Sequence, residues 1–244
     1  MPEAGEVALL AAIAFSGALI FGITGFGAGL VTIPLATHLV PLQFALALFA
    51  LTDLACAVRV GMENPRLAQR TEWARLVPMI IVGTALGVTL LVNLPRATGM
   101  LLLGAFVLCY ALYASFPHVA RRTISRHWAW LAGLAGGITS TLFGAGGPPY
   151  AIYLSQRGLG KGEFRATMGF ATITSISLRV LAFVLTGLLL DLRIWVYALF
   201  TVAAALLGIW AARRIFLRIS RDLLMRAVTL LLALTGASLL WRAL

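Results

Sequence analysis

The sequence predicts an all-α integral membrane protein made of two inverted repeats, each a broken or re-entrant helical hairpin followed by three transmembrane helices. Three observations carry that prediction. The 244-residue chain is 61% hydrophobic and only 11% charged, with a mean hydropathy of +0.99, more than a water-soluble domain sustains. Its basic residues sort to one side of a membrane only if one apolar segment enters and leaves on the same side. The tetrapeptide FGAG occurs at 26–29 and again at 143–146, each time among glycines that interrupt an apolar run.

Eight apolar runs approach the about 20 residues that a helix needs to cross a bilayer, at 7–37, 41–62, 73–94, 98–116, 128–156, 163–190, 193–212 and 222–241. They leave no length for a soluble domain. The opening MPEAGE holds two acids and no base, so it lacks the positive flank of a cleavable signal peptide and is read as retained. Cys56 and Cys109 lie within apolar runs, where a thiol behaves as a small hydrophobe; neither a disulfide framework nor a zinc spacing is present. The net charge of +11 would suit a nucleic-acid binder, but the bases occupy short loops between apolar runs. They are read as orientation signals, with the lipid bilayer and no nucleic acid as partner. His38, His118 and His127 are scattered, and no HExxH, nucleophile elbow or catalytic carboxylate pair occurs. Neither an enzyme, a metal site nor a cofactor is expected.

Of the 19 Lys and Arg, Arg59 and Arg179 fall inside apolar runs. Four clusters hold Arg66, Arg70 and Arg75; Arg121, Arg122 and Arg126; Arg157, Lys161 and Arg165; and Arg213, Arg214, Arg218, Arg221 and Arg226. Arg96, Arg193 and Arg242 remain. Eight full crossings would divide these residues eight to nine, with no bias at all. A hairpin over 128–156 gathers fourteen on one side against three, which is the asymmetry that membrane insertion produces. Within that hairpin TLFGAGGPP at 141–149 cannot continue a straight helix, because proline lacks the backbone donor and clashes with the preceding turn.

The two FGAG copies are offset by 117 residues; Phe44, Thr52 and Arg59 match Phe164, Thr172 and Arg179 at an offset of 120, and Trp73 matches Trp195. The chain therefore reads as repeats 1–117 and 118–244 within one integrated membrane domain. Three crossings between equivalent positions give the repeats opposite orientations, the plan of many secondary transporters. The re-entrance of the first broken segment rests on this repeat, since its neighbouring loops hold no Lys or Arg. Both termini are then expected outside, with the two breaks entering from opposite faces to meet near the middle.

Irregular backbone is tolerated at membrane depth only where protein or a water-filled cavity satisfies it. Paired breaks thus point to a shared cavity, in which helix ends expose unpaired N–H groups to an anion and glycine permits close approach. The candidate substrate-binding residues at the first break are Thr24, Gly25, Gly27 and Gly29; at the second they are Gly144, Gly146, Gly147, Pro148 and Pro149. The competing reading of these glycines is close helix packing. Arg179, Arg59, Asp53 and Ser175 complete the set. An arginine at mid-bilayer costs at least about 2.5–3.5 kcal/mol on insertion scales, so Arg179 must face protein or water, either as an anion-binding cation or as the ion-pair partner of Asp53. Arg59 lies nearer a helix end and could instead snorkel to the interface. Asp53 is the one acid deep in an apolar run; it either carries a proton or forms a plain salt bridge. Thr24, Thr32, Thr139, Ser140, Thr141, Thr172, Ser175 and Ser177 either line a polar path or bond their own helix backbones. Cys56, a helical turn after Asp53, is either buried filler or a neighbour of a sulfur-containing ligand.

With GFGAGLVTIPL at 25–35, ALTD at 50–53 and FGAGGPPYAIYL at 143–154 followed by Arg165, the chain resembles the sulfite exporter TauE/SafE family over nearly its whole length. The resemblance implies export or exchange of small sulfur-containing anions, such as sulfite or organosulfonates, across a bacterial cytoplasmic (inner) membrane. The expectation is a multi-pass secondary transporter, an exporter working by alternating access, with a proton or a sodium ion as coupling ion. The alternatives are an anion channel, uptake of another small organic anion, and a membrane scaffold. The oligomeric state stays open.

Overall fold

The computed structural model describes residues 4–115, 124–215 and 221–243. His118, Arg121, Arg122 and Arg218 lie outside the described residues, as do the side chains of Arg96, Arg221, Arg226 and Arg242. Among the described residues there are ten α-helices and no strand: α1 (Ala4–Thr24), α2 (Ala28–Ala36), α3 (Leu42–Gly61), α4 (Arg70–Asn93), α5 (Arg96–Ser115), α6 (Trp128–Phe143), α7 (Gly147–Ser155), α8 (Lys161–Leu185), α9 (Leu192–Ile215) and α10 (Arg221–Ala243). Five stretches are long and apolar enough to cross a membrane, Gly5–Thr24, Leu42–Gly61, Arg70–Asn93, Lys161–Leu185 and Leu192–Arg214. Shorter apolar helices span Ala97–Tyr113 and Leu232–Trp241. The chain is an all-α, multi-pass membrane protein.

Its helices are apolar on their outer faces too: Val82, Leu86 and Leu90 on α4 and Leu199, Phe200 and Leu207 on α9 are exposed. Lipid is as apolar as leucine, so burial of such side chains does not drive these helices together, and close packing through small residues must do so. The contacts follow that rule. α4 lies along α6, where a methyl group on Gly83 would come 2.3 Å from the Leu134 carbonyl oxygen. α9 lies along α1, where one on Gly208 would come 2.5 Å from the Phe15 carbonyl oxygen. Gly61 and Gly169 bring α3 onto α8, and Gly104 and Gly236 bring α5 onto α10.

Both interrupted segments fold back as hairpins. In the first, Gly25 (φ 84°) and Gly27 (φ 90°) turn the chain after α1, in a left-handed conformation that only glycine adopts cheaply. α2 then returns along α1, with Gly17 opposite Thr32. In the second, Gly144 (φ 67°) closes α6, donating to the Ser140 carbonyl while Ala145 donates to that of Thr139. α7 returns so that the Ile124 amide donates to the Gln156 carbonyl at 3.4 Å, which ties the start of this hairpin to its end. The first hairpin is lopsided in a way the sequence reading did not anticipate. α1 has 21 residues, about 31 Å of helix, so it is as long as a full crossing, whereas the returning α2 has only 9.

The basic loops converge at one end of the bundle. Glu63 pairs with both Arg165 and Arg213. Glu72 pairs with Arg75 at 2.7 Å and Arg157 at 3.1 Å, and Arg157 also donates to the Ile124 carbonyl at 2.7 Å. The opposite end holds the turn after α2, where His38 meets Ser238 of α10. It also holds Asp191, whose carboxyl is kept below its ordinary pKa by the Arg193 guanidinium that donates to it.

Candidate functional site

The two hairpin tips touch. A methyl group on Gly29, at the start of α2, would come 1.9 Å from the Gly144 carbonyl oxygen, and one on Gly147 would come 2.8 Å from Phe26 Cβ. The beginnings of α2 and α7 therefore face a shared space, a cavity of about 20 Å³ lined by Phe21, Phe26, Asp53, Ser140, Tyr150, Thr172, Ser175 and Ile176 with the backbone of 27–29 and 144–147. A cavity of this size holds little more than one water.

The two helix starts are chemically unequal. α2 begins with Ala28, Gly29 and Leu30, whose N–H groups are all available at a helix start. α7 begins Gly147-Pro148-Pro149, and proline fits there because the first-turn N–H has no intrahelical partner to lose. The same substitution removes two donors. Of the N–H groups expected at both breaks, α7 therefore keeps the helix dipole but little of the donor set.

Arg179 is fully buried and Asp53 nearly so. Nη2 of Arg179 donates to Asp53 Oδ2 at 2.9 Å, and Nη1 donates to the Ser140 carbonyl at 2.9 Å. The arginine thereby sits at the negative C-terminal end of α6, where a cation is favoured. Its Nε has no partner among the described residues. Across the cavity the Tyr150 hydroxyl donates to Ser175 Oγ at 3.0 Å, while the buried Thr172 hydroxyl has no partner among the described residues. Thr52 bonds Thr201 of α9 at 2.9 Å on the far side of α3.

Of the residues singled out from the sequence, Gly27, Gly29, Asp53, Gly144, Gly146, Gly147 and Ser175 line the cavity. Arg179 stands behind Asp53. Thr24 instead secures the turn, its single hydroxyl proton shared between the Ile20 and Phe26 carbonyl oxygens. Gly25 shapes the same turn, and Pro148 and Pro149 form the first turn of α7. Arg59 is on the exposed last turn of α3, outside the cavity. Sequence reasoning passed over Phe21, Phe26 and Tyr150, which supply the aromatic walls. It also missed the network at the basic end, where the Tyr153 hydroxyl donates to Glu72 at 2.5 Å beside Arg157. A second cavity of about 310 Å³ opens near the other end, lined by Pro41, Leu42, Leu94, Pro95 and Gly99 and by Leu142 and Phe143, which immediately precede Gly144.

Long apolar helices that carry two hairpin breaks, a buried arginine and its carboxylate into one interior cavity define a polytopic membrane protein with a polar site at the breaks. The chain belongs to the Sulfite exporter TauE/SafE family, whose family model matches residues 9–239. It is accordingly a membrane transporter of the sulfite-exporter type. No curated protein and no solved structure matches the chain significantly.

Proposed function

We propose that this protein is a secondary transporter that exports small sulfur-containing anions, sulfite or organosulfonates, across a bacterial cytoplasmic membrane by alternating access. The observation that carries the reading is the contact of the two hairpin tips at a cavity backed by Arg179. Broken helices meeting at a buried site are the arrangement by which transporters hold an ion at membrane depth. The cavity, of about 20 Å³, is too small for a sulfur oxyanion without movement, which favours a carrier over an open pore.

The moving parts in this reading are the inverted repeats 1–117 and 118–244. Their packing is reciprocal, α1 on α9 and α4 on α6, as a two-fold relation between the halves requires. The basic end is cytoplasmic by the positive-inside rule, and it is held shut by the Glu63 and Glu72 ion pairs. The 310 Å³ cavity is then the outer approach, separated from the site by Leu142 and Phe143. The substrate-binding roles belong to the glycine backbone of both tips, Ser175, Asp53 and Arg179.

Flux of labelled sulfite and of an organosulfonate into proteoliposomes tests this directly. Saturable flux accelerated by unlabelled substrate on the opposite side is expected. Flux without such acceleration identifies a channel, and the absence of flux for every sulfur anion removes the proposal.

A further inference from the structure

The charged side chain on the cavity wall is Asp53, whereas Arg179 lies behind it. For an anion carrier this is the wrong way round. An ionised carboxylate in a confined, poorly hydrated site repels an arriving anion, and it already occupies the arginine that should receive one. Arg179 has both Nη groups engaged, yet its Nε remains buried with no partner among the described residues, so its donor set is incomplete. Asp53 uses Oδ2 for Arg179, and no protein donor reaches Oδ1 among the described residues.

Resting on the transport reading above, we propose that Asp53 is the coupling-proton acceptor and that anion and proton occupy the site together, the anion taking the place of the Asp53 carboxylate on Arg179. A proton adds to a carboxylate oxygen of Asp53, which ends the charge attraction to Arg179. An anion oxygen then accepts from the freed Nη2–H and from the Nε–H. Departure of the anion and loss of the proton restore the ion pair. The surroundings of Asp53 leave few competitors for that proton. Arg179 faces it from α8, the Cys56 thiol from its own helix and the Tyr150 hydroxyl from across the cavity. α2, α6 and α7 contain no charged residue, α1 has only Glu6 near its start, α5 only Arg96 at its start, the charges of α9 are at its ends, those of α8 other than Arg179 (Lys161, Glu163 and Arg165) are in its first turns, and Arg59 is in the exposed last turn of α3.

Calorimetric titration of the purified full chain with sulfite, in two buffers of different ionisation enthalpy, reads the coupling. The pH is set well above the second ionisation of sulfurous acid, so the ligand arrives as the dianion. About one proton taken up per sulfite is expected from linkage, and none in Asp53→Asn. Binding without uptake in the natural chain overturns the proposal, as does uptake that persists in Asp53→Asn. If that variant fails to fold, the natural chain alone decides: affinity that weakens about tenfold per pH unit in this range supports the proposal, and a flat profile overturns it. Absence of any sulfite binding by the natural chain, at any pH, counts against the transport reading itself and is told apart from these results.

Discussion

A methyl group on Gly29 would stand 1.9 Å from the carbonyl oxygen of Gly144, so the tips of the two hairpins meet backbone to backbone with no room between them. Backbone cannot rotate out of the way as a side-chain end can. Gly29→Ala must therefore part the tips, at or above the about 1–3 kcal/mol typical of overpacking. A clear fall in melting temperature in detergent and loss of transport are expected, while Gly5→Ala, with open space around it, leaves both unchanged. A Gly29→Ala protein that melts with the natural one would disprove the contact.

Arg179 and Asp53 share one buried ion pair. Removing one partner strands the other charge, which costs about 3–5 kcal/mol for buried pairs. Asp53→Ala is expected to lower stability strongly, and Asp53→Ala combined with Arg179→Leu to recover part of the loss. The check is a double-mutant cycle on melting, in which additivity would show that the two charges are not coupled.

At the basic end Glu72 accepts from Tyr153 and from Arg157, fastening α7 to α4. Glu72→Ala releases these bonds and leaves the buried Tyr153 hydroxyl and the half-buried Arg157 guanidinium unsatisfied, each costing about 1–3 kcal/mol; Tyr153→Phe removes only one bond. Hydrogen exchange over residues 147–156 is expected to rise markedly in Glu72→Ala and slightly in Tyr153→Phe. Equal exchange in both would show that the network does not hold α7.

Leu39 is 40% exposed in the turn after α2, and Gly160 is exposed at the start of α8. In a chain with Cys56 and Cys109 replaced, cysteines at these two positions are expected to label from opposite faces of the membrane, Leu39→Cys from outside and Gly160→Cys from inside. Labelling of Gly160→Cys from outside would invalidate the hairpin over 128–156.

Much of this fold was legible because a membrane leaves few options. Any polar or irregular feature in an apolar run stands out, so Gly144 to Pro149 announced the second hairpin. Asp53 and Arg179 could be matched as partners because so few charges lie deep in the runs. Arg59 and Arg179 align in the repeat yet end differently, one exposed on the last turn of α3 and one fully buried in α8, because each helix ends at a different distance beyond its arginine. Tyr150 and Phe26 went unread since an aromatic in an apolar run looks like filler until its neighbours are known. Glu72 was hidden for a related reason, as an acid in a first helical turn is ordinary.

Composition, the positions of the basic residues and the duplicated glycine motif were sufficient for the membrane class and the two interruptions, and they marked Asp53 and Arg179 as possible partners, since each follows from the cost of polar groups in hydrocarbon. Only the tertiary structure decided that the tips touch at Gly29 and Gly144 and that Asp53 rather than Arg179 faces the cavity. Those outcomes depend on distances between residues more than a hundred positions apart, and local chemistry carries no record of them.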